Sequence, residues 1–544
     1  MVIIYKRAGI LVVCMLIVQF IFGQQGLLQR IQLDDLYRRK QIVGEVDSIN
    51  NSFCIVPYKY RFNSFQHVNK KDSIILTSDF GYTLQNNSTL PFSYNAETFY
   101  PSVGFQQRFT FGLQLESKNF SIRFQPEWVM AANTSNEDLL PPESNSLNNY
   151  WGKYFAMIGN KIDMPSRFGD KSLNKLFPGQ SSIRYKTDQF SIGISTENLW
   201  WGPARFNSLI MSNNAPGFLH ASFNTMAPLK TPIGKIEAQI IYGVLNGSGF
   251  TPPEFKRIAQ LGCPQCYEPP PVNKLRNIAG YVFSFSPKGM DNFYIGMSYV
   301  SYFYADRSSK AAALSSMFFR YVMPKDKAEI YAEYGRSDKH ISPLDLFKDS
   351  IPYGYTVGFR KFIPLQNKKK YISLSFELTH LGLSEAKLIF DRNNIWGNPN
   401  PNSYSWYTSA TTQHGYTNYG RVMGAAIGPG SNSQTLNIAW NSNQNQIGFQ
   451  LQRVKRNTDF YYYYYFNGNF GVGNTDAFWT DISTSIFGQW KYKNILIAGS
   501  IDHLSSINYY WLKLNGDFGQ PSSLSDKQNL QLRLSVLYSV NWHF

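Results

Sequence analysis

Past the first two dozen residues the chain has no run of about 18 consecutive apolar residues, which excludes a helical membrane span as its organising element. Cysteine is scarce. Of four cysteines, Cys14 falls in an N-terminal apolar run, leaving Cys54, Cys263 and Cys266. The stretch GCPQCYEPPP holds a single C-x-x-C. With no second pair a zinc site lacks support, and the proline-rich surroundings lack the βαβ context of a redox motif. In an exported chain a small loop-stapling disulfide is the expected state of Cys263 and Cys266, with Cys54 a buried free thiol. There is no G-x-S-x-G elbow for a serine esterase, and no repeat of solenoid or propeller type. Acidic residues are outnumbered, 36 Asp and Glu against 52 Lys and Arg, for a formal charge of +16. This excess has two readings. Lysines in turns such as PKDK and NKKK supply part of it, and a positive lumen steering a polyanion would supply the rest.

What is present begins with a leader. MVIIYKR carries Lys6 and Arg7, and the apolar run from Ala8 to Phe22 follows, so residues 1–23 read as a secretory signal. Residues 24–65 read differently from the remainder. In LLQRIQLDDLYRRKQI, Leu28, Ile31 and Leu36 sit near helical spacing with charges between them. A short amphipathic helix of this kind needs a surface to cover.

From residue 66 to 544 the period is two. In YISLSFELTHL, Ile372, Leu374, Phe376 and Leu378 alternate with Ser373, Ser375, Glu377 and Thr379. In LQLRLSVLYSVNWHF the alternation runs to the terminal Phe544, broken only at Leu537. Successive strand side chains point to opposite faces, so one face meets something apolar and the other meets water. With 16% aromatic residues and a mean hydropathy of −0.30, this patterning predicts an all-β transmembrane protein. The expected form is a closed antiparallel outer-membrane β-barrel, which pairs every backbone group as lipid demands. At about 9–11 residues per spanning strand, plus loops, about 14 to 18 strands fit. The helical element of residues 24–65 would pack at one barrel end. A terminal strand ending in an aromatic residue suits recognition by the outer-membrane assembly machinery. Outer-membrane lipid is therefore an expected partner and nucleic acid is not.

The most unusual stretch is SIGISTENLWWGPARFNSLIMSNNAPGFLH. Strand parity turns Glu197 inward, and the strand ends at Trp200 and Trp201. Arg205, Asn213 and Asn214 follow in a polar loop, and IGKIEAQIIYGVL places Glu237 on a polar face. A pyranose stacks its C–H face on an indole and needs fixed donors and acceptors for its hydroxyls, which Asn, Glu and Arg supply. An aromatic girdle at the membrane interface is the alternative for Trp200. Two adjacent tryptophans cannot both face lipid from one regular strand. Arg205, and Arg421 in YGRVMGAAIGPGS, would hold polymer carboxylates or pair with interior Glu197 or Glu237. Glu197 and Glu237 would also be the carboxyl pair of a glycoside hydrolase. No cofactor or metal is expected.

STENLWWGP, NSLIMSNNAPGF, TPIGKIEAQIIYG, IDMPSRFGD, AEIYAEYGR and HGYTNYGRVMGAAIGPGS occur in order, and together they resemble the Wzi-type capsule assembly proteins. The resemblance runs from about residue 30 to the end. It implies an eighteen-stranded barrel in the outer membrane of a Gram-negative bacterium, with a small periplasmic helical bundle. It also implies a non-enzymatic, lectin-like role in binding capsular polysaccharide, an acidic polymer being compatible with the charge. A passive porin for small solutes is the alternative of another class, and a glycoside hydrolase a weaker one.

Overall fold

In a computed structural model of the chain, residues 30–45, 51–55, 74–135, 154–253, 268, 270, 271, 274–306, 311–338, 351–366, 369–383, 405–466, 478–514 and 526–543 are described. The leader, Cys263, Cys266 and Phe544 lie outside them.

Among the described residues eighteen antiparallel strands close on themselves. They are β1 Ile75–Asn87, β2 Gly104–Glu116, β3 Phe120–Phe124 continued by Glu127–Ala131, β4 Leu173–Phe177 continued by Ser182–Lys186, β5 Phe190–Ser195 and β6 His220–Thr225 continued by Leu229–Thr231. Next come β7 Gly234–Leu245, β8 Arg276–Pro287, β9 Phe293–Tyr304, β10 Ala312–Met323, β11 Ala328–Asp338 and β12 Tyr353–Pro364. The last six are β13 Lys370–Gly382, β14 Asn432–Ser442, β15 Asn445–Lys455, β16 Thr480–Tyr492, β17 Ile495–Ile507 and β18 Lys527–His543. Each strand pairs with the next. The seam is β1 against β18, in register from Ile75 opposite His543 to Asn87 opposite Gln531. Closure at the upper end of the sequence estimate leaves no open edge to lipid.

Burial along the strands is inverted relative to a soluble sandwich. In β13, Ser373, Ser375, Glu377 and Thr379 are buried while Phe376 is exposed. Phe80, Phe111, Ile183, Ile240, Val357 and Ile486 are likewise exposed on the outer wall. Apolar residues outside and polar residues inside is the distribution that a hydrocarbon solvent selects. Leu537 breaks the terminal alternation because it faces inward, where it packs on Leu496 and Tyr37.

Turns alternate in length around the wall. Residues 117–119, 187–189, 324–327, 443–444 and 493–494 close one end, and long segments such as 88–103, 196–219 and 405–431 close the other. Short periplasmic turns and long external loops orient the molecule.

The helix α1, Arg30–Val43, enters the short-turn end. It stops at Gly44, whose φ of 72° supports a left-handed cap. There Gly44 N–H reaches Gln41 O at 3.2 Å and Glu45 N–H reaches Lys40 O at 3.0 Å. Ile42 is buried among Tyr294, Val322, Phe362 and Tyr371. Charged residues on α1 meet the lumen wall, Arg38 Nε at 3.1 Å from Glu329 Oε1 and Asp35 Oδ1 at 2.9 Å from Arg360 Nη1. Arg320 shares Glu329 at 2.7 Å. Pairing of this kind offsets the cost of burying charge.

The external loops fold into the lumen rather than away from it. Leu90, Phe155, Trp201, Leu209, Met211, Trp406, Tyr407 and Tyr416 form one buried cluster with inward residues of the wall. Four segments cross the lumen side by side. Cys54 O accepts from Gly202 N–H at 2.8 Å, Met211 O from Trp201 N–H at 3.2 Å, and Met423 O from Ser212 N–H at 2.8 Å. Gly424 lies so close to this crossing that a β-carbon there would sit 2.3 Å from Leu209 O and from Tyr407 Oη. Cys54 is a buried free thiol, and burial pushes it up to about 12.

Candidate functional site

The external loops enclose a cavity of about 210 Å³ at the barrel mouth. Its wall is aromatic. Trp479 packs against Tyr509, Tyr510 and Trp511 with ring centroids 4.9, 5.0 and 5.1 Å away. Tyr154 packs edge-on to Phe460 at 5.3 Å. The backbones of Tyr510 and Trp511 are left-handed, each with φ of 53°, a conformation bulky residues adopt only when packing holds them there.

Two arginines reach this cavity. Arg456 is neutralised by Asp481 at 2.8 Å, and its guanidinium also meets Tyr94 and, at 3.2 Å, Ile427 O. Asp481 is fully engaged, since Oδ1 also accepts from Trp479 Nε1 at 3.0 Å and from Ser506 Oγ at 2.6 Å. Arg421 has no carboxylate in ion-pair range among the described residues. It donates to Phe99 O, to Ser93 O at 3.2 Å and to Asn214 Oδ1 at 3.0 Å. Burial, and then Arg533 nearby, pull its guanidinium down to about 9. The mouth therefore combines fixed ring faces with one buried cation lacking a counter-charge.

The other residues singled out in the sequence separate. Asn214 joins Arg421 at the mouth, its Nδ2 donating to Val422 O at 2.8 Å. Trp200, Arg205 and Asn213 line a second, deeper cavity. Trp201 is fully buried, with its indole N–H donating to Gln239 Oε1 at 2.8 Å, and lines neither. Glu197 does point inward, where it pairs with Arg123 at 3.7 Å and accepts from Ser195 Oγ at 3.2 Å. Glu237 accepts from Ser52 N–H at 2.8 Å and so anchors the segment that follows α1. Both carboxylates thus have structural partners, and neither lines the two cavities. Arg205 and Arg421 do not pair with them. Arg205 instead donates to Ser375 Oγ at 2.9 Å and Asn437 Oδ1 at 3.2 Å.

Tyr94, Tyr154, Arg456, Trp479, Asp481, Tyr509 and Tyr510 were missed by sequence reasoning. The available signal was aromatic density at strand ends, in DAFWTD and INYYWLKL. Strand parity assigns such residues to a lipid girdle when they instead turn inward with a loop.

Fold and site together define a class: an outer-membrane β-barrel whose lumen is filled from both ends, with a small aromatic cavity at its outer mouth. Within that class the chain belongs to the capsule assembly protein Wzi family, whose model matches residues 100–496. Wzi of Escherichia coli, an outer-membrane protein of group 1 capsule assembly described as a carbohydrate-binding β-barrel, superposes with a TM-score of 0.55. The identity is 11%, covering 94% of this chain and 99% of that one, so the likeness bears on the fold. OccK5 of Pseudomonas aeruginosa follows at 9% identity, with 86% and 98% coverage and a TM-score of 0.41, too distant to carry an argument. No curated protein sequence matches the chain. Its place is the outer membrane.

Proposed function

We propose that this barrel is a non-enzymatic binder of surface or capsular polysaccharide that acts in capsule assembly or attachment, gripping the polymer at its external mouth. The carrying observation is the pairing of the Trp479, Tyr509 and Tyr510 ring cluster with Arg421, a buried guanidinium without a carboxylate. Rings offer stacking surface to sugar C–H faces, and the guanidinium offers its positive charge to a carboxylate on the polymer. Repeated units raise the effective concentration of each successive contact, so modest single-site affinity suffices.

The test is capture of purified surface polysaccharide by detergent-solubilised protein over a range of salt. Tyr510→Ala and Arg421→Gln should each weaken capture about tenfold, equivalent to about 1.4 kcal/mol. Wild-type capture should fall as salt rises if the polymer is acidic. Unchanged capture in both variants would refute the mouth as the site. Incubation with the polymer should release no new reducing ends, and their appearance would favour a glycosidase instead.

A further inference from the structure

Beneath the mouth, between α1 and the segment Trp200–Phe206, lies a second cavity of about 340 Å³. That volume is within the range of about 300–1,000 Å³ typical of small-molecule sites. Its chemistry is not that of packing space. Arg38, Arg39 and Arg205 line it together with Asp34 and Asp35. Arg38 is answered by Glu329 at 3.1 Å, while Asp35 serves three guanidiniums at once: Arg39 at 2.9 Å, Arg360 at 2.9 Å and Arg205 at 4.0 Å. Arg205, at the limit of that reach, is the least answered of the three. Arg205 registers this, since burial and then Arg360 pull it down to about 10.

Two buried polar atoms on the wall have no partner, Arg38 Nη2 as donor and Asn95 Oδ1 as acceptor. Both side chains are otherwise fixed, Arg38 by Glu329 at 3.1 Å and Asn95 by donating to Phe206 O at 2.8 Å. Buried polar atoms are rarely left unmatched without a reason. Trp200 supplies an aromatic wall, its ring fixed by an indole N–H bond to Ala204 O at 3.0 Å. Opposite, the amide nitrogens of Gln446 and Gln489 are committed to Asn441 and to Gln444 O at 3.0 and 2.8 Å. Their amide oxygens remain as acceptors, and both residues are part-exposed, which connects the chamber to solvent.

We infer that this chamber is a second carbohydrate site, built between the helix and the barrel, that takes one carboxylate-bearing monosaccharide. The carboxylate faces Arg38 and Arg205, the ring stacks on Trp200, and the hydroxyls meet Asn95, Gln446 and Gln489. The site shares with the proposed function only the chemical class of ligand, because it is a different cavity made by different residues.

Calorimetric titration of the full-length protein in detergent with D-glucuronate, D-glucose and inorganic phosphate tests it. Saturable binding of glucuronate is expected, with glucose and phosphate each at least tenfold weaker. Arg205→Gln should weaken glucuronate at least tenfold. Asn95→Asp preserves side-chain size and tolerates the left-handed backbone at φ 46°. It should weaken glucuronate at least tenfold by adding a negative charge to the chamber that holds an anionic ligand. Heat-modifiable gel mobility checks that each variant is folded. No saturable heat with glucuronate overturns the proposal. So does glucose or phosphate binding as tightly as glucuronate, or wild-type affinity in both variants. Polymer capture at the mouth should survive in both variants, and its loss would overturn the separation of the two sites.

Discussion

Trp200 and Trp201 are adjacent in sequence and have opposite fates. Trp201 is sealed inside with its N–H on Gln239, whereas Trp200 faces a cavity. Trp201→Ala should therefore act through stability, costing about 3–5 kcal/mol as a buried large-to-small change, measured by denaturant unfolding in detergent. Gly424→Ala should cost about 1–3 kcal/mol by overpacking, since its new β-carbon would meet backbone and Tyr407 at 2.3 Å. At this scale the sequence was informative in part. Alternation made Glu197, Glu237 and Glu377 inward residues, as they are. It was silent past Glu197, two residues beyond the end of the strand at Ser195, where parity no longer says where a side chain points. Partners were also hidden: Arg123, seventy-odd positions away, answers Glu197 because β3 and β4 bring it there.

Among the elements, the strands were the most legible, because an inverted burial pattern leaves a period of two wherever lipid is the outer solvent. The helix α1 was visible from its spacing, but its ion pairs with Glu329 and Arg360 arise across the lumen and leave no local mark. The loops were least legible, since their order comes from mutual packing inside a closed wall. The 405–431 loop carries a pH signature. His414, bonded to Tyr304 Oη at 2.9 Å, is pulled by burial and then by Arg276 from 6.5 down to about 3. A depressed imidazole contributes stability above its unfolded value, and that contribution is lost as pH falls from about 6.5 toward 3. Asp459 in α2, Thr458–Phe466, is pushed up by burial to about 6. It contributes oppositely, its stabilisation being lost as pH rises through about 6. Between pH 4 and 6.5 the two oppose each other, and hydrogen exchange of this loop, corrected for the intrinsic rate, should resolve them: His414→Gln removes the loss of protection on acidification, and Asp459→Asn removes the loss of protection as pH rises to about 6.

As a whole molecule the barrel is closed by its seam and occupied by its own chain. In planar bilayers the wild-type protein should show little conductance, and deletion of residues 30–45 should raise it several-fold by removing α1 from the short-turn end. A large steady wild-type channel would instead support a porin. The crossing of four segments has a mechanical reading. Cys54, Gly202, Met211 and Met423 are tied rung to rung by backbone bonds, so the segment that follows α1 and the loop that carries Arg421 form one continuous rope through the lumen. Tension applied outside would be felt within. If polymer is held at the mouth as proposed, the amide protons of Trp201 and Gly202 should exchange more slowly, although neither residue lines the mouth.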